Sequence, residues 1–376
     1  MIERIYLDNA ATTSLDEKVL NAMMPYLTTG FGNPSSIYSY GRESRIAVES
    51  ARKKIASLLN TRPAQIFFTS CGTESNNTAI KCAVRDLGCT RIITSKIEHH
   101  AVLHTVEYLN SAFKVEVEYV KLLPNGHVDL EDLERLLSSS DKKTLVSLMH
   151  ANNEIGNLTD INAVGKLCEK YGAFYHADTV QTVGHLNFDL DNTPVHFITG
   201  SAHKFHGPKG SGILYIKDSV KINPFIHGGS QERNMRAGTE NIYGIVGFAS
   251  ALELAYENLE SESKYIAGLK NYMLNSLRTN IPGVTFNGDP EGTSLFTVLS
   301  VAIPKSEKSE MLLFNLDINN ICASGGSACT SGAEHGSHVI KNINANPDQV
   351  TVRFSFSKHN TKSQIDNVVE KLKELI

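Results

Sequence analysis

The sequence predicts an α/β protein: a large domain built on a mostly parallel sheet covered by helices, and a smaller α+β domain after it. Short apolar runs alternate with helical patterns up to about residue 240, the βαβ rhythm of a parallel sheet. Beyond that point the order changes to one long helical tract and then a set of strands. At 376 residues and 41% hydrophobic residues the chain can bury two cores, and it contains no repeat or low-complexity linker.

Along the chain, "GRESRIAVESARKKIASLLN" has the apolar spacing of an amphipathic helix. The runs "QIFFTS", "RIITS", "KVEVEYV", "TLVSLMH", "AFYHAD", "VHFITG" and "GILYIK" are rich in β-branched and aromatic residues and read as strands, with "DINAVGKLCEKYG" as a helix among them. A helical tract from Ile242 to Leu277 is followed by the strands "GVTFNG", "FTVLSVAI" and "VTVRFSFS" and by the closing amphipathic helix "TKSQIDNVVEKLKEL". The expected division is a large domain over 15–260 and a small domain formed by 1–14 with 261–376.

Composition narrows the function. Lys and Arg number 36 against 40 Asp and Glu, for a net charge of -4 without long runs of one sign, so neither a nucleic-acid face nor a polybasic membrane anchor is expected. No stretch reaches the roughly 18 apolar residues of a membrane span, and "MIERIYLDNAATT" has no signal-peptide core, which predicts a cytoplasmic protein. Six cysteines without a CxxC pair argue against a disulfide framework and a zinc site, and predict reduced thiols.

The polar residues at predicted strand ends carry the chemistry. Lys204, in "ITGSAHKFHGPKGSG", follows a strand and precedes a glycine-rich break. Most lysines are solvated surface charges, but ligands of α/β proteins are met outside the carboxyl ends of strands. In "FFTSCGTESNN", Gly72, Thr73 and Glu74 open a helix, either as a plain cap or as a turn offering N–H groups to a phosphate. Asp178 and Gln181 of "YHADTVQTVG" stand at another strand end; Asp178, if buried, needs a cationic partner. A lysine able to form a Schiff base, an aspartate for a pyridinium nitrogen and a helix N-terminus for a phosphate together describe a site for pyridoxal 5'-phosphate. Lysine suits the role because its amine loses its proton when desolvated, which arginine does not. His99, His100 and His104 are joined by no acid or cysteine at ligand spacing, so no metal is expected. Cys329 lies among glycine, serine and alanine, next to Gly325, Gly326 and Gly332, and reads as a nucleophile on an exposed loop. Cys82, Cys168 and Cys322 read as buried structural thiols, and Cys71 is left open.

The ordered series "YLDNAATT", "FGNPSS", "GTESNN", "EHHAVL", "MHANNEIG", "HADTVQTVG", "SAHKFHGPKG", "QERNMRAGTEN" and "SGGSACTSG" resembles the NifS/IscS-like branch of the cysteine desulfurases, within the class V aminotransferase group, over nearly the whole chain. The resemblance implies a fold type I pyridoxal phosphate enzyme, a homodimer, that takes sulfur from L-cysteine, leaves L-alanine and holds the sulfur as a persulfide on Cys329 before passing it to an acceptor protein such as an iron-sulfur scaffold or a tRNA-thiolation relay. Residue by residue, it implies that Lys204 is the Schiff-base lysine, Asp178 the partner of the ring nitrogen, Gln181 the contact to the ring hydroxyl, and His99 the histidine stacked on the ring. Gly72, Thr73, Ser201 and His203 match the phosphate cradle, and Thr239 a threonine reaching the other subunit's phosphate. Asn153 and Arg353 match the residues that hold the substrate carboxylate, and Asn153 also counts among the cofactor-binding positions.

The chain departs from the family pattern at Asn234, where glycine is common, at Glu334, His335 and Gly336 after "CTSG", and in "SFSKHNT". These positions bear on the choice of acceptor. A selenocysteine lyase or another carbon-sulfur lyase of the same fold would share the cofactor residues. A class V aminotransferase would not need Cys329, and a non-catalytic sulfur carrier would not need Lys204, Asp178 and His99 together.

Overall fold

The computed structural model describes residues 4–325 and 336–376. The first elements are β1 (Ile5–Tyr6), α1 (Glu17–Thr28), α2 (Ser39–Leu58), β2 (Ile66–Thr69), α3 (Gly72–Arg85), β3 (Arg91–Thr94), α4 (His100–Phe113) and β4 (Glu116–Tyr119). Then come α5 (Leu130–Ser138), β5 (Thr144–Ser147), α6 (Ile161–Lys170), β6 (Phe174–Asp178), β7 (Phe197–Ser201) and β8 (Gly212–Ile216). A short kinked turn, α7 (Gln231–Asn234), leads to α8 (Ile242–Glu257) and α9 (Leu259–Asn280). The chain closes with β9 (Thr285–Phe286), β10 (Val298–Pro304), α10 (Leu312–Ile318), β11 (Ile321–Cys322), α11 (His338–Asn342), β12 (Gln349–Ser355) and α12 (Lys362–Leu375).

Among the described residues seven strands form the main sheet, in the order β2-β8-β7-β6-β5-β3-β4. Its neighbours are parallel except at β8, which runs against both β2 and β7. Strands β3, β5, β7 and β8 are buried at every position, as expected of a sheet covered on both faces. Several helices begin where short polar side chains accept from the first backbone N–H groups: Asp129 caps α5, Asp160 caps α6, and Thr361 with Gln364 forms a capping box on α12.

Two cores follow the change of rhythm. The larger apolar cluster draws on residues from Val19 to Leu252, and a second joins Ile5 and Leu7 to residues from Ile266 to Leu372. In the second, β10 pairs antiparallel with β12 and β9, while β1 runs parallel to β11 and bridges toward β12 through Asp8 and Ser355. The N-terminal strand therefore belongs to the core made by the C-terminal residues.

Two expectations are corrected. The tract Ile242–Leu277 is two helices, because Asn258 at φ -112 and ψ 9 ends α8 and opens α9. Cys322 is half-buried, since β11 is a two-residue edge strand, whereas Cys82 and Cys168 are buried as expected. Asn234, where the family has glycine, has φ 66. Asparagine tolerates that left-handed backbone better than most side chains, which accounts for the exchange.

Candidate active site

The carboxyl ends of β6 and β7 and the first turns of α3 and α4 enclose a cavity of about 240 Å³. Lys204 reaches it from the single turn Ala202–Lys204 that follows β7. Its Nζ donates to the carbonyls of Ala10 (2.5 Å) and Ala11 (2.9 Å), which come from the "YLDNAATT" segment. The Ala10 carbonyl also accepts from Gln181 Nε2 at 3.0 Å, so one peptide group sets the place of both side chains.

Asp178 ends β6 and is buried. Among the described residues its hydrogen-bond donors are neutral: Asn76 Nδ2 at 2.6 Å, the Val180 amide at 3.0 Å and Thr199 Oγ1 at 3.4 Å. Asn76 is held in turn by His176 Nε2 (3.1 Å), whose Nδ1 meets Ser147 Oγ (2.9 Å). Burial pushes the His176 imidazole down to about 4, so the relay behind Asp178 carries no charge. The cation that a buried carboxylate calls for is left to a ligand.

Gly72 is fixed by close approach: a Cβ there would stand 2.4 Å from Val180 Cγ2. The glycine lets the N-terminus of α3 press against the loop after Asp178, and Cys71 before it supplies no side-chain cap. Thr73 and Ser201 line the same cavity, and Ser201 Oγ is buried without a hydrogen-bond partner among the described residues. His203 Nδ1 meets Thr12 Oγ1 at 3.2 Å, and burial lowers its imidazole to about 4. An uncapped helix N-terminus with hydroxyls and a glycine beside it is a cradle for an anion.

His99 is the N-cap of α4, its Nδ1 accepting from the Ala101 amide at 3.1 Å. Burial holds its imidazole below the usual range, so the ring is neutral near pH 7 and its proton sits on Nε2. The carboxyl of Glu98 beside it is fully buried and pushed up to about 8 by burial; it accepts from the Met149 amide (3.0 Å) and from Ser95 Oγ (3.1 Å).

Other sequence-derived residues stand apart. Arg353, on β12, is 1% exposed and does not line the cavity. Its Nη2 donates to Asp8 Oδ1 at 2.6 Å and its Nη1 to the Asn153 carbonyl at 2.8 Å, while Nε is buried without a partner among the described residues. Asn153 itself lines the cavity. Thr239 is exposed and faces none of its own chain's cavity. The loop before it is tied down by the buried pair of Arg52 with Glu232 (2.8 Å) and by Arg236 on Glu74 (2.9 Å). Cys329 lies outside the described residues. Among the described residues, no group of three or more His, Cys, Asp or Glu is placed to hold a metal.

Sequence reasoning missed Asn76, His176, Ala10, Ala11, Asp8 and Glu98. The only signal was that all six fall inside the quoted motifs "YLDNAATT", "GTESNN", "EHHAVL" and "HADTVQTVG", and main-chain acceptors leave no mark in side-chain identity.

Fold and site together define an α/β enzyme whose lysine, aspartate and anion cradle converge at strand ends. The chain belongs to the aminotransferase class-V family, which residues 5–368 match. A cysteine desulfurase IscS of Dictyoglomus turgidum is 41% identical over 380 residues, covering 100% of this chain and 95% of the relative. A putative cysteine desulfurase IscS 1 of Bacillus subtilis is also 41% identical, covering 100% and 99%. A solved NifS-like protein superposes with TM-score 0.91 at 38% identity, covering 99% of both chains.

Pyridoxal 5'-phosphate is the cofactor of these relatives' class, and the residues fit it. Among the described residues Ser201 Oγ is unpartnered, the α3 terminus has no side-chain cap, and Asp178 is hydrogen-bonded by neutral donors. One group carrying a phosphate and a protonated ring nitrogen answers all three.

Proposed function

We propose that the protein is a pyridoxal phosphate-dependent cysteine desulfurase that converts L-cysteine to L-alanine and hands the sulfur to an acceptor protein. The observation carrying this reading is the shared cavity of Lys204, Asp178, His99 and Ser201, with an orphaned hydroxyl where a phosphate belongs. The near-40% identity of full-length desulfurases supports it. Gly72, Thr73, Ser201 and His203 hold the phosphate, Asp178 faces the ring nitrogen, Gln181 its hydroxyl, and His99 its face. The cofactor, when bound, supplies an electron sink for the substrate α-carbon.

The chain's own residues supply positioning and protons. Lys204 Nζ, oriented by the Ala10 and Ala11 carbonyls, is the amine that takes the substrate α-proton. The neutral His99 holds its proton on Nε2, where it serves the leaving and attacking sulfurs. Asn153 and Arg353 orient the substrate carboxylate, for which the guanidinium fork is suited. Cys329 receives the sulfur as a persulfide.

In this reading residues 15–260 form the cofactor domain, and 1–14 with 261–376 the small domain carrying Cys329; the separate apolar clusters support the division. A homodimer is part of the proposal. Phe31 and Ile37, at 70% and 89% exposed, stand with Tyr38, Tyr40 and Ile46 in one uncovered apolar stretch, and the exposed Thr239 is left to serve the partner's phosphate. No helix among the described residues is long and apolar enough to cross a membrane; cytoplasmic work on a small substrate and a protein acceptor, without nucleic acid, completes the reading.

The test is Cys329→Ser. The variant is expected to keep the cofactor absorbance and to exchange the α-proton of cysteine with solvent, while alanine formation nearly stops, because a hydroxyl is a far poorer nucleophile toward sulfur than a thiolate. Labelled cysteine is expected to leave reducible label on the Cys329 peptide alone, since burial raises the Cys82 and Cys89 thiols to about 12. Undiminished alanine production, or free sulfide with no protein-bound label, points instead to a lyase.

A further inference from the structure

The ring of His338 is not used by the reaction proposed above, yet it reaches the peptide that carries His99. His338 opens α11, and its Nε2 donates to the Glu98 carbonyl at 2.9 Å; the carbonyl can only accept, so this nitrogen bears the proton. That carbonyl shares a peptide plane with the His99 amide nitrogen. The ring also lies 4.5 Å from the ring of His100, the first residue of α4.

The surroundings make this contact a fixed one. Ser337 caps α11 by accepting from the Ile340 amide at 3.1 Å, and its Oγ donates to Glu154 Oε2. Val339 packs on Ile97 and Ile155 in a small apolar cluster. From the opposite side the Glu98 carboxyl is tied to the Met149 amide and Ser95 Oγ. The Glu98–His99 peptide is thus gripped through its carbonyl by His338 and through its side chain by Glu98, while the His99 ring is pinned by the Ala101 amide. With backbone and ring both held, His99 Nε2 has one position relative to the cavity.

We infer that His338 is a positioning residue for His99: its Nε2–H···O=C bond to Glu98 sets where the imidazole presents its proton to the substrate sulfur. This rests on the desulfurase reading. A proton donor displaced by about 1 Å can lose up to a hundredfold in rate, because the hydrogen bond it makes in the transition state is directional.

The experiment uses holoenzyme and a four-member cycle of wild type, His338→Ala, His99→Gln and the double variant, with His338→Gln and His338→Asn alongside. In His338→Ala, kcat for alanine formation is expected to fall by about tenfold or more, with KM within about twofold and cofactor content and absorbance unchanged. His338→Gln, whose Nε2 spans a similar reach, is expected to restore most of the rate, whereas the shorter His338→Asn is expected to resemble Ala. In the His99→Gln background the His338→Ala change is expected to cost nothing further. Losses that multiply through the cycle, a Gln variant no better than Asn, or an effect confined to KM overturns the inference. The Gln–Asn comparison stands even if the alanine variant does not fold. A wild-type enzyme that makes no alanine from L-cysteine overturns the function itself, a result distinct from an active enzyme with multiplicative losses.

Discussion

On the main-sheet side of the site, among the described residues, Ser201 Oγ is buried without a partner and Asp178 takes only neutral hydrogen-bond donors. On the β12 side, the Arg353 guanidinium is closed by Asp8 and by the Asn153 carbonyl, and only Nε is left over. In the proposed reading the first region is completed by the cofactor, so binding there restores hydrogen bonds at little cost in rearrangement. In the second, both terminal guanidinium nitrogens are already engaged within the chain. In the proposed reading a substrate carboxylate shares Arg353 with Asp8, so that side exchanges its partner while the sheet side keeps the cofactor.

Five substitutions break or sharpen this contrast. The largest effect belongs to Lys204→Ala: turnover is expected to fall at least about a thousandfold while the cofactor stays bound through Asp178, Ser201 and the α3 terminus. Spectra and single-turnover assays check it, and a near-normal rate would move the role to another lysine such as Lys209.

On the β12 side, Arg353→Lys is expected to raise KM for cysteine by about ten- to a hundredfold with a smaller change in kcat, because an ammonium lacks the bidentate fork. Asp8→Asn leaves a buried guanidinium without its counter-charge and is expected to cost about 3 kcal/mol in urea unfolding. If both variants lose stability and KM stays put in Arg353→Lys, Arg353 is an internal ion pair and not a substrate contact.

Gly72→Ala probes the sheet side with a single methyl. The added Cβ meets Val180 at 2.4 Å and must push α3 from the Asp178 loop, so cofactor affinity is expected to fall about tenfold in titrations of apoprotein. Val180→Ala as a second change is expected to recover much of it. Affinity unchanged in Gly72→Ala would mean that the cradle is not where the phosphate binds.

The smallest effect is a pH dependence of stability. Glu98 is protonated in the folded chain up to about 8, well above its ordinary value, because burial disfavours its charge. The unfolded chain releases that proton at lower pH, so stability is full below the ordinary carboxyl range and declines as pH rises through it to about 8. Glu98→Gln removes this slope. Its Tm is expected to gain a few degrees on wild type between about pH 5 and about pH 8, and a constant difference across that range would count against a protonated Glu98.

How much was legible in the sequence follows from how each residue acts. Asp178 and Lys204 could be read because a polar residue that ends an apolar strand, or stands in the turn just after one, betrays itself by type and position. The strands and most helices could be read because period two and period 3.6 are local properties of the chain. The break at Asn258 escaped because the apolar pattern runs on across it while the backbone turns.

What the sequence alone determined is the order of elements and the chemical type of the residues at their ends, since both depend on neighbours a few positions apart. Only the tertiary structure decided what those residues touch. Asn76 reaches Asp178 across 102 positions, Lys204 reaches Ala10 across 194, and Arg353 reaches Asp8 across 345. Such pairings arise when helices and strands close on two cores, and a main-chain carbonyl that orients a lysine, or a His338 that grips the peptide before His99, is invisible until the backbone has been placed in space.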